Sequence, residues 1–103
     1  MSSKPEYNHW AEISALIKES VEQGQHELLL TMLMTPDERE AIQTRVNIVC
    51  ELLKGDLSQR QISQLLGVGV ATITRGSAEL KTKSSEQKAT IEQLVLKDRS
   101  RAD

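Results

Sequence analysis

The segment QRQISQLLGVGVATITRGSAELK, residues 59–81, constrains the chain more than any other. Its apolar residues are Ile62, Leu65, Leu66, Val68, Val70 and Ile73. Ile62 and Leu66 stand four apart, on one face of a short helix. Gly67 and Gly69 interrupt that pattern, and Ile73 resumes it on a second helix. The layout is helix, glycine turn, helix. Ser63 is small and falls where the two helices would cross, so their backbones can approach. The rest of the second helix offers Thr72, Thr74, Arg75, Ser77 and Lys81 to solvent. A helix that is apolar on one side and rich in hydroxyls and cations on the other suits a DNA groove. An ordinary helical hairpin inside an all-α core has the same pattern, and charge and chemistry must separate the two readings.

The charge distribution favours DNA. The net charge of −2 argues weakly against a nucleic-acid partner. Residues 1–53, however, hold four Lys/Arg against nine Asp/Glu, whereas residues 54–83 hold five against two. Residues 84–103 balance at four each. Positive charge is thus concentrated on the suspected reading head, and local sign is what phosphates respond to.

At 103 residues the chain is one domain, and its core is thin. Hydrophobic residues make up 38%, there is no Phe, and Trp10 and Tyr7 are the only aromatics. A domain this small buries a modest share of its surface. A two-fold dimer would supply the missing burial. The single cysteine, Cys50, permits no intramolecular disulfide and fits a reducing compartment. It lies in an apolar helix, where a small buried hydrophobe is its expected role. MSSKPEYNHW has no apolar signal core, and no run approaches the roughly 18 residues that span a bilayer. A cytoplasmic protein without membrane contact is expected.

Helix signals dominate the chain. Residues 1–7 read as a flexible arm. Over residues 8–21, Trp10, Ile13, Leu16, Ile17 and Val21 recur at helical spacing, and Gly24 ends the run. His26–Leu33 is a short leucine-rich helix. Thr35-Pro36-Asp37-Glu38 combines a capping hydroxyl, a proline at the first helical position and a glutamate at the third. The helix it opens carries Ile42, Val46, Val49 and Leu53, with Ile48 and Leu52 widening the stripe; other helices or a partner chain must cover it. Gly55 stops it. Ser58 and Gln61 form a second capping box. Thr82-Lys83-Ser84-Ser85 reads as a loop with a cap, followed by a last helix over 86–96 and a flexible tail over 97–103. The expected fold is all-α: six short helices over residues 8–96, with a helix-turn-helix at about 59–81.

Catalytic and metal chemistry find no footing. His9 and His26 have no Cys, Asp or Glu at ligand spacing, and both read as surface residues. Gly67 and Gly69 lack the third glycine and the preceding strand of a phosphate loop. The DNA reading, by contrast, gives each residue a task. Arg60 can bind a guanine bidentately or reach a phosphate. Val70 and Ala71 put small apolar groups near thymine methyls. Thr72 and Thr74 can meet base edges, directly or through water. Being two apart on a helix, they cannot both face the groove squarely, and one can bond back to the chain. Lys81 and Lys54 suit phosphates, which fix register. Gln59 and Gly69, at the entrances to the two helices, complete the set.

TPDEREAIQTRVNIVCELLKGDLSQRQISQLLGVGVATITRGSAELK resembles the Trp repressor family, most specifically in MTPDERE and GVGVATITRGS. The likeness runs from about residue 32 to 81 and more weakly into the flanking helices. That family is among the standard helix-turn-helix examples. The resemblance implies an intertwined homodimer with L-tryptophan as corepressor and no other cofactor. It implies a palindromic double-stranded operator, at which transcription of tryptophan biosynthesis genes is blocked. By position, Arg45 and Arg75 would sandwich the indole between guanidinium planes. Arg75 would also pair with the ligand carboxylate, helped by Thr35 or Thr44. Backbone carbonyls near Met32 and Met34 of the other subunit would take the ammonium, and Gly76 would leave room beside the ring. The chain departs from the family pattern twice: Glu79 stands where relatives have a small hydroxyl, beside the expected ammonium, and Ser63 replaces a lysine. The alternative is a helix-turn-helix regulator with another small molecule or none. A protein-binding helical hairpin is a further rival, motivated by overall acidity.

Overall fold

The computed structural model describes residues 4–96. Residues 1–3 of the expected arm and the whole expected tail, 97–103, lie outside the described residues. Six helices follow one another: α1 (Trp10–Glu22), α2 (His26–Leu33), α3 (Pro36–Lys54), α4 (Gln59–Leu66), α5 (Val70–Lys81) and α6 (Ser85–Leu96). Among the described residues there is no strand, and no helix is long and apolar enough to cross a membrane.

Local chemistry places the helix starts. Thr35 Oγ1 accepts from the Glu38 N–H at 3.2 Å, and Glu38 Oε1 accepts from the Thr35 N–H at 2.8 Å. The same exchange joins Ser58 to Gln61, at 3.1 and 2.8 Å. A third joins Ser84 to Gln87, at 3.0 and 2.9 Å, and starts α6 one residue earlier than expected. Each box satisfies two donors that a helix start leaves without partners.

The chain divides into two compact units, Met1–Arg39 and Glu40–Asp103. In the first, α1 packs against α2, half-burying Ile13, Leu16, Ile17, Leu29 and Leu30. Ser20 is buried there, and its hydroxyl donates to the Ile17 carbonyl at 2.7 Å. Arg39 Nη1 donates to the Met34 carbonyl at 2.9 Å. Trp10 stays 75% exposed and Met32 81%.

The second unit is built on Ile48, Ile62 and Ile73, with Leu52, Leu57, Leu66 and Val68 packed around them. Helix α3 therefore buries the side bearing Ile48 and Leu52. Ile42 and Val46, expected at the centre of its stripe, are exposed. The helix is apolar on more than one side, and α4 and α5 cover only one of them. Cys50 is buried, with Sγ 3.8 Å from the Val95 carbonyl of α6. The core is as thin as the composition implies, and a single chain leaves much apolar surface in water.

Candidate nucleic-acid interface and adjoining cleft

The turn between α4 and α5 has one backbone requirement. Gly67 ends α4 with φ +69°, where a side chain is strained. Its N–H and that of Val68 both donate to the Ser63 carbonyl, at 2.9 and 3.2 Å. The Ser63 hydroxyl returns a hydrogen bond to the Val68 carbonyl. Ser63 thus pins the turn in addition to being small. Ile62 and Ile73 are fully buried between α4 and α5, which locks the angle between the two helices.

Burial of Ile73 decides how α5 is turned. At 3.6 residues per turn, Val70, Thr74 and Lys81 fall on one flank of the helix. Thr72, Gly76 and Glu79 fall on the other, and Ala71 and Arg75 point outward. The first flank, with Gly69 and Ala71, is exposed. Arg60 is exposed on α4, while Gln59 is half-buried. Thr74 Oγ1 lies 3.0 Å from the Val70 carbonyl and 2.9 Å from Gln59 Oε1. It bonds back to its own helix, as one of the two threonines was expected to. The Gln59 contact ties the start of α4 to the first turn of α5. Lys54 is paired with Glu51 at 3.2 Å.

Between α3, α5 and α6 lies a cleft of about 490 Å³, within the size range of small-molecule sites. Of the residues expected around a ligand, Arg45, Arg75, Gly76 and Glu79 line it. Thr72, expected on the groove side, is half-buried and lines it too. Ile48, Val49, Leu80 and Ile91 provide apolar walls, and Lys83 is a further cation. Sequence reasoning missed these five. The stretch 72, 76, 79/80, 83 at helical spacing was the available signal for Lys83 and Leu80, but Ile91 belongs to another helix. Thr44 is half-buried on α3 and does not line the cleft. Met32, Met34 and Thr35 belong to the first unit: Met32 on α2, Met34 at its C-terminal end, Thr35 capping α3.

The charges in the cleft are unevenly satisfied. Glu79 Oε2 lies 3.4 Å from Lys83 Nζ. Arg45 and Arg75 have no hydrogen-bond or ion-pair partner among the described residues. Two free guanidinium planes at an apolar cleft can receive a flat aromatic body and an anionic group. Gly76 has a second role here. A Cβ at this position would come 3.1 Å from Ile48 Cγ2, so the missing side chain lets α5 approach α3. Among the described residues no group of His, Cys, Asp and Glu could hold a metal.

The fold is all-helical, with a helix-turn-helix of the DNA-reading layout and a cleft of small-molecule size against its second motif helix. Residues 8–95 match the Trp repressor protein family. The chain is 64% identical over 97 residues to a Trp operon repressor homolog of Vibrio atlanticus, covering 94% of this chain and 99% of that one. It is 70% identical over 95 residues to a homolog of Vibrio vulnificus, with 92% and 93% covered. A homolog of Vibrio cholerae is 62% identical over 96 residues, with 93% of each chain covered. The chain belongs to the Trp repressor family. It is a tryptophan-dependent transcriptional repressor, a regulator and not an enzyme, that binds operator DNA and tryptophan and acts as a homodimer.

Proposed function

We propose that the cleft of Arg45, Arg75, Gly76 and Glu79 is the corepressor site, and that its occupation sets the reading heads of an intertwined dimer on a palindromic operator. Transcription of tryptophan biosynthesis genes is then blocked, in the cytoplasm. The observation that carries this reading is the pair of unpartnered guanidiniums, Arg45 on α3 and Arg75 on α5, lining one apolar cleft. The indole lies between their planes, and Arg75 takes the carboxylate. The ammonium meets carbonyls near Met32 and Met34 of the partner subunit, and Glu79. The Met34 carbonyl already accepts one hydrogen bond from Arg39; its second lone pair remains for the ligand.

On the DNA side, Arg60, Gly69, Val70, Ala71 and Thr74 approach base edges and backbone, and Lys81 takes a phosphate. Gln59 is held toward Thr74 at the same surface. Thr72 acts from the cleft side, so one turn of α5 touches both ligand and operator. Tryptophan wedged between α3 and α5 then holds two symmetry-related recognition helices about 34 Å apart, one turn of DNA.

A mobility shift on a palindromic operator, with and without L-tryptophan, tests this. Retardation should require the amino acid, and operator should tighten tryptophan binding by the same factor that tryptophan tightens operator binding. Equal tryptophan affinity with and without operator would refute the coupling. Arg75→Ala should abolish the response while the circular dichroism spectrum is unchanged. A variant that still responds normally would remove Arg75 from the carboxylate role.

A further inference from the structure

The cleft holds one ion pair whose cation, Lys83, the corepressor reading does not use. Among the described residues four ionisable side chains line it: the cations Arg45, Arg75 and Lys83, and one carboxylate, Glu79. Glu79 and Lys83 are four residues apart on the cleft flank, spanning the end of α5, with their charges 3.4 Å from each other. Glu79 is 74% exposed, so the carboxylate stands at the rim and can turn inward without losing burial. Lys83 is better covered, at 36%. Its flexible stem lets the ammonium leave for solvent at little cost.

We infer that Lys83 is the resting counterion of Glu79, and that a ligand's α-ammonium takes its place when the cleft fills. This rests on the corepressor reading above and specifies the class of ligand the site selects. A planar carboxylic acid satisfies a free arginine and leaves the Glu79–Lys83 pair intact. A zwitterionic amino acid brings an ammonium as well, and among the described residues Glu79 is the one carboxylate lining the cleft. Replacing one ammonium by another on Glu79 keeps the local charge count unchanged. Lys83 therefore competes with the ligand for Glu79, and repels the incoming ammonium until it swings away.

The size of the effect is that of an exposed ion pair, a factor of about two to five in affinity at low ionic strength. Calorimetry on the full-length dimer with L-tryptophan and with indole-propionate, its des-amino analogue, measures it. Lys83→Gln should tighten L-tryptophan about two- to fivefold and leave indole-propionate unchanged or slightly weaker. Glu79→Gln should weaken L-tryptophan and not indole-propionate. In the Glu79→Gln background, Lys83→Gln should no longer tighten L-tryptophan. Unchanged tryptophan affinity in Lys83→Gln overturns the exchange, and so does a gain that persists undiminished without the Glu79 carboxylate. If the unaltered protein takes up no L-tryptophan, the corepressor site itself is wrong and the exchange falls with it. If it takes up tryptophan but the two substitutions act independently, the exchange alone is wrong.

Discussion

A Cβ built on Gly76 would stand 3.1 Å from Cγ2 of Ile48, a side chain that is itself only 2% exposed. Helix α5 therefore meets α3 at the one point of its cleft flank that has no side chain. The same glycine lines the ligand cleft, so the spacing of the two helices and the shape of the site are set together.

Gly76→Ala puts two effects in opposition. Alanine is favoured over glycine inside a helix by about 1 kcal/mol. Overpacking against a buried isoleucine costs about 1–3 kcal/mol. The expected outcome is a loss of up to about 2 kcal/mol in urea unfolding, with tryptophan affinity falling several-fold as α5 moves off α3. Unchanged affinity together with raised stability would show that Ile48 yields freely.

Gly67 and Gly69 separate fold from function within a single turn. At Gly67 the positive φ makes any L side chain strained, and Gly67→Ala should cost roughly 1–2 kcal/mol of stability. At Gly69 φ is −69° and a Cβ meets nothing within 4 Å. Gly69→Ala should leave unfolding within about 0.5 kcal/mol and weaken operator binding in a mobility shift. Equal stability losses in the two variants would contradict the backbone argument.

Arg45→Lys keeps the charge and removes the plane. Arg45 has no ionic or hydrogen-bonded partner to lose among the described residues, so melting should be unaffected. Tryptophan affinity should drop about fivefold, the value of about 1 kcal/mol of guanidinium stacking. Full retention of affinity would mean that the ring does not lie on Arg45.

Ile62→Val removes one methyl group from a side chain with no exposed surface. The expected cost is about 0.5–1.5 kcal/mol. Because Ile62 and Ile73 lock α4 to α5, operator affinity should decline even with tryptophan saturating. A stability loss with no change in operator affinity would place the control of α5 elsewhere than in this core.

Helix boundaries were legible in the sequence because their causes are local. Thr35 with Glu38 and Ser58 with Gln61 act across three residues, and Gly67 needs only its own φ. The Ser84–Gln87 box is equally local: the sequence shows a cap within Thr82-Lys83-Ser84-Ser85, and the pairing of Ser84 with Gln87 starts α6 at Ser85 rather than at residue 86. The two-glycine turn and the opposed faces of α5 were legible in the same way. Arg45, Arg75, Gly76 and Glu79 were brought out by resemblance, since spacing alone gives no reason for arginines on separate helices to share a cleft.

Tertiary structure decided which face of each helix is used. Helix α3 has apolar residues on more than one side, and its periodicity permits burying either Ile42 with Val46 or Ile48 with Leu52. Only the position of Ile62 and Ile73 selects the latter. The same core rotates α5, turning Thr72 into the cleft and leaving Thr74 on the exposed flank beside Gln59. Local chemistry starts and stops a helix because its partners are three or four residues away. The rotation of that helix depends on side chains distant in sequence, and packing alone brings them together.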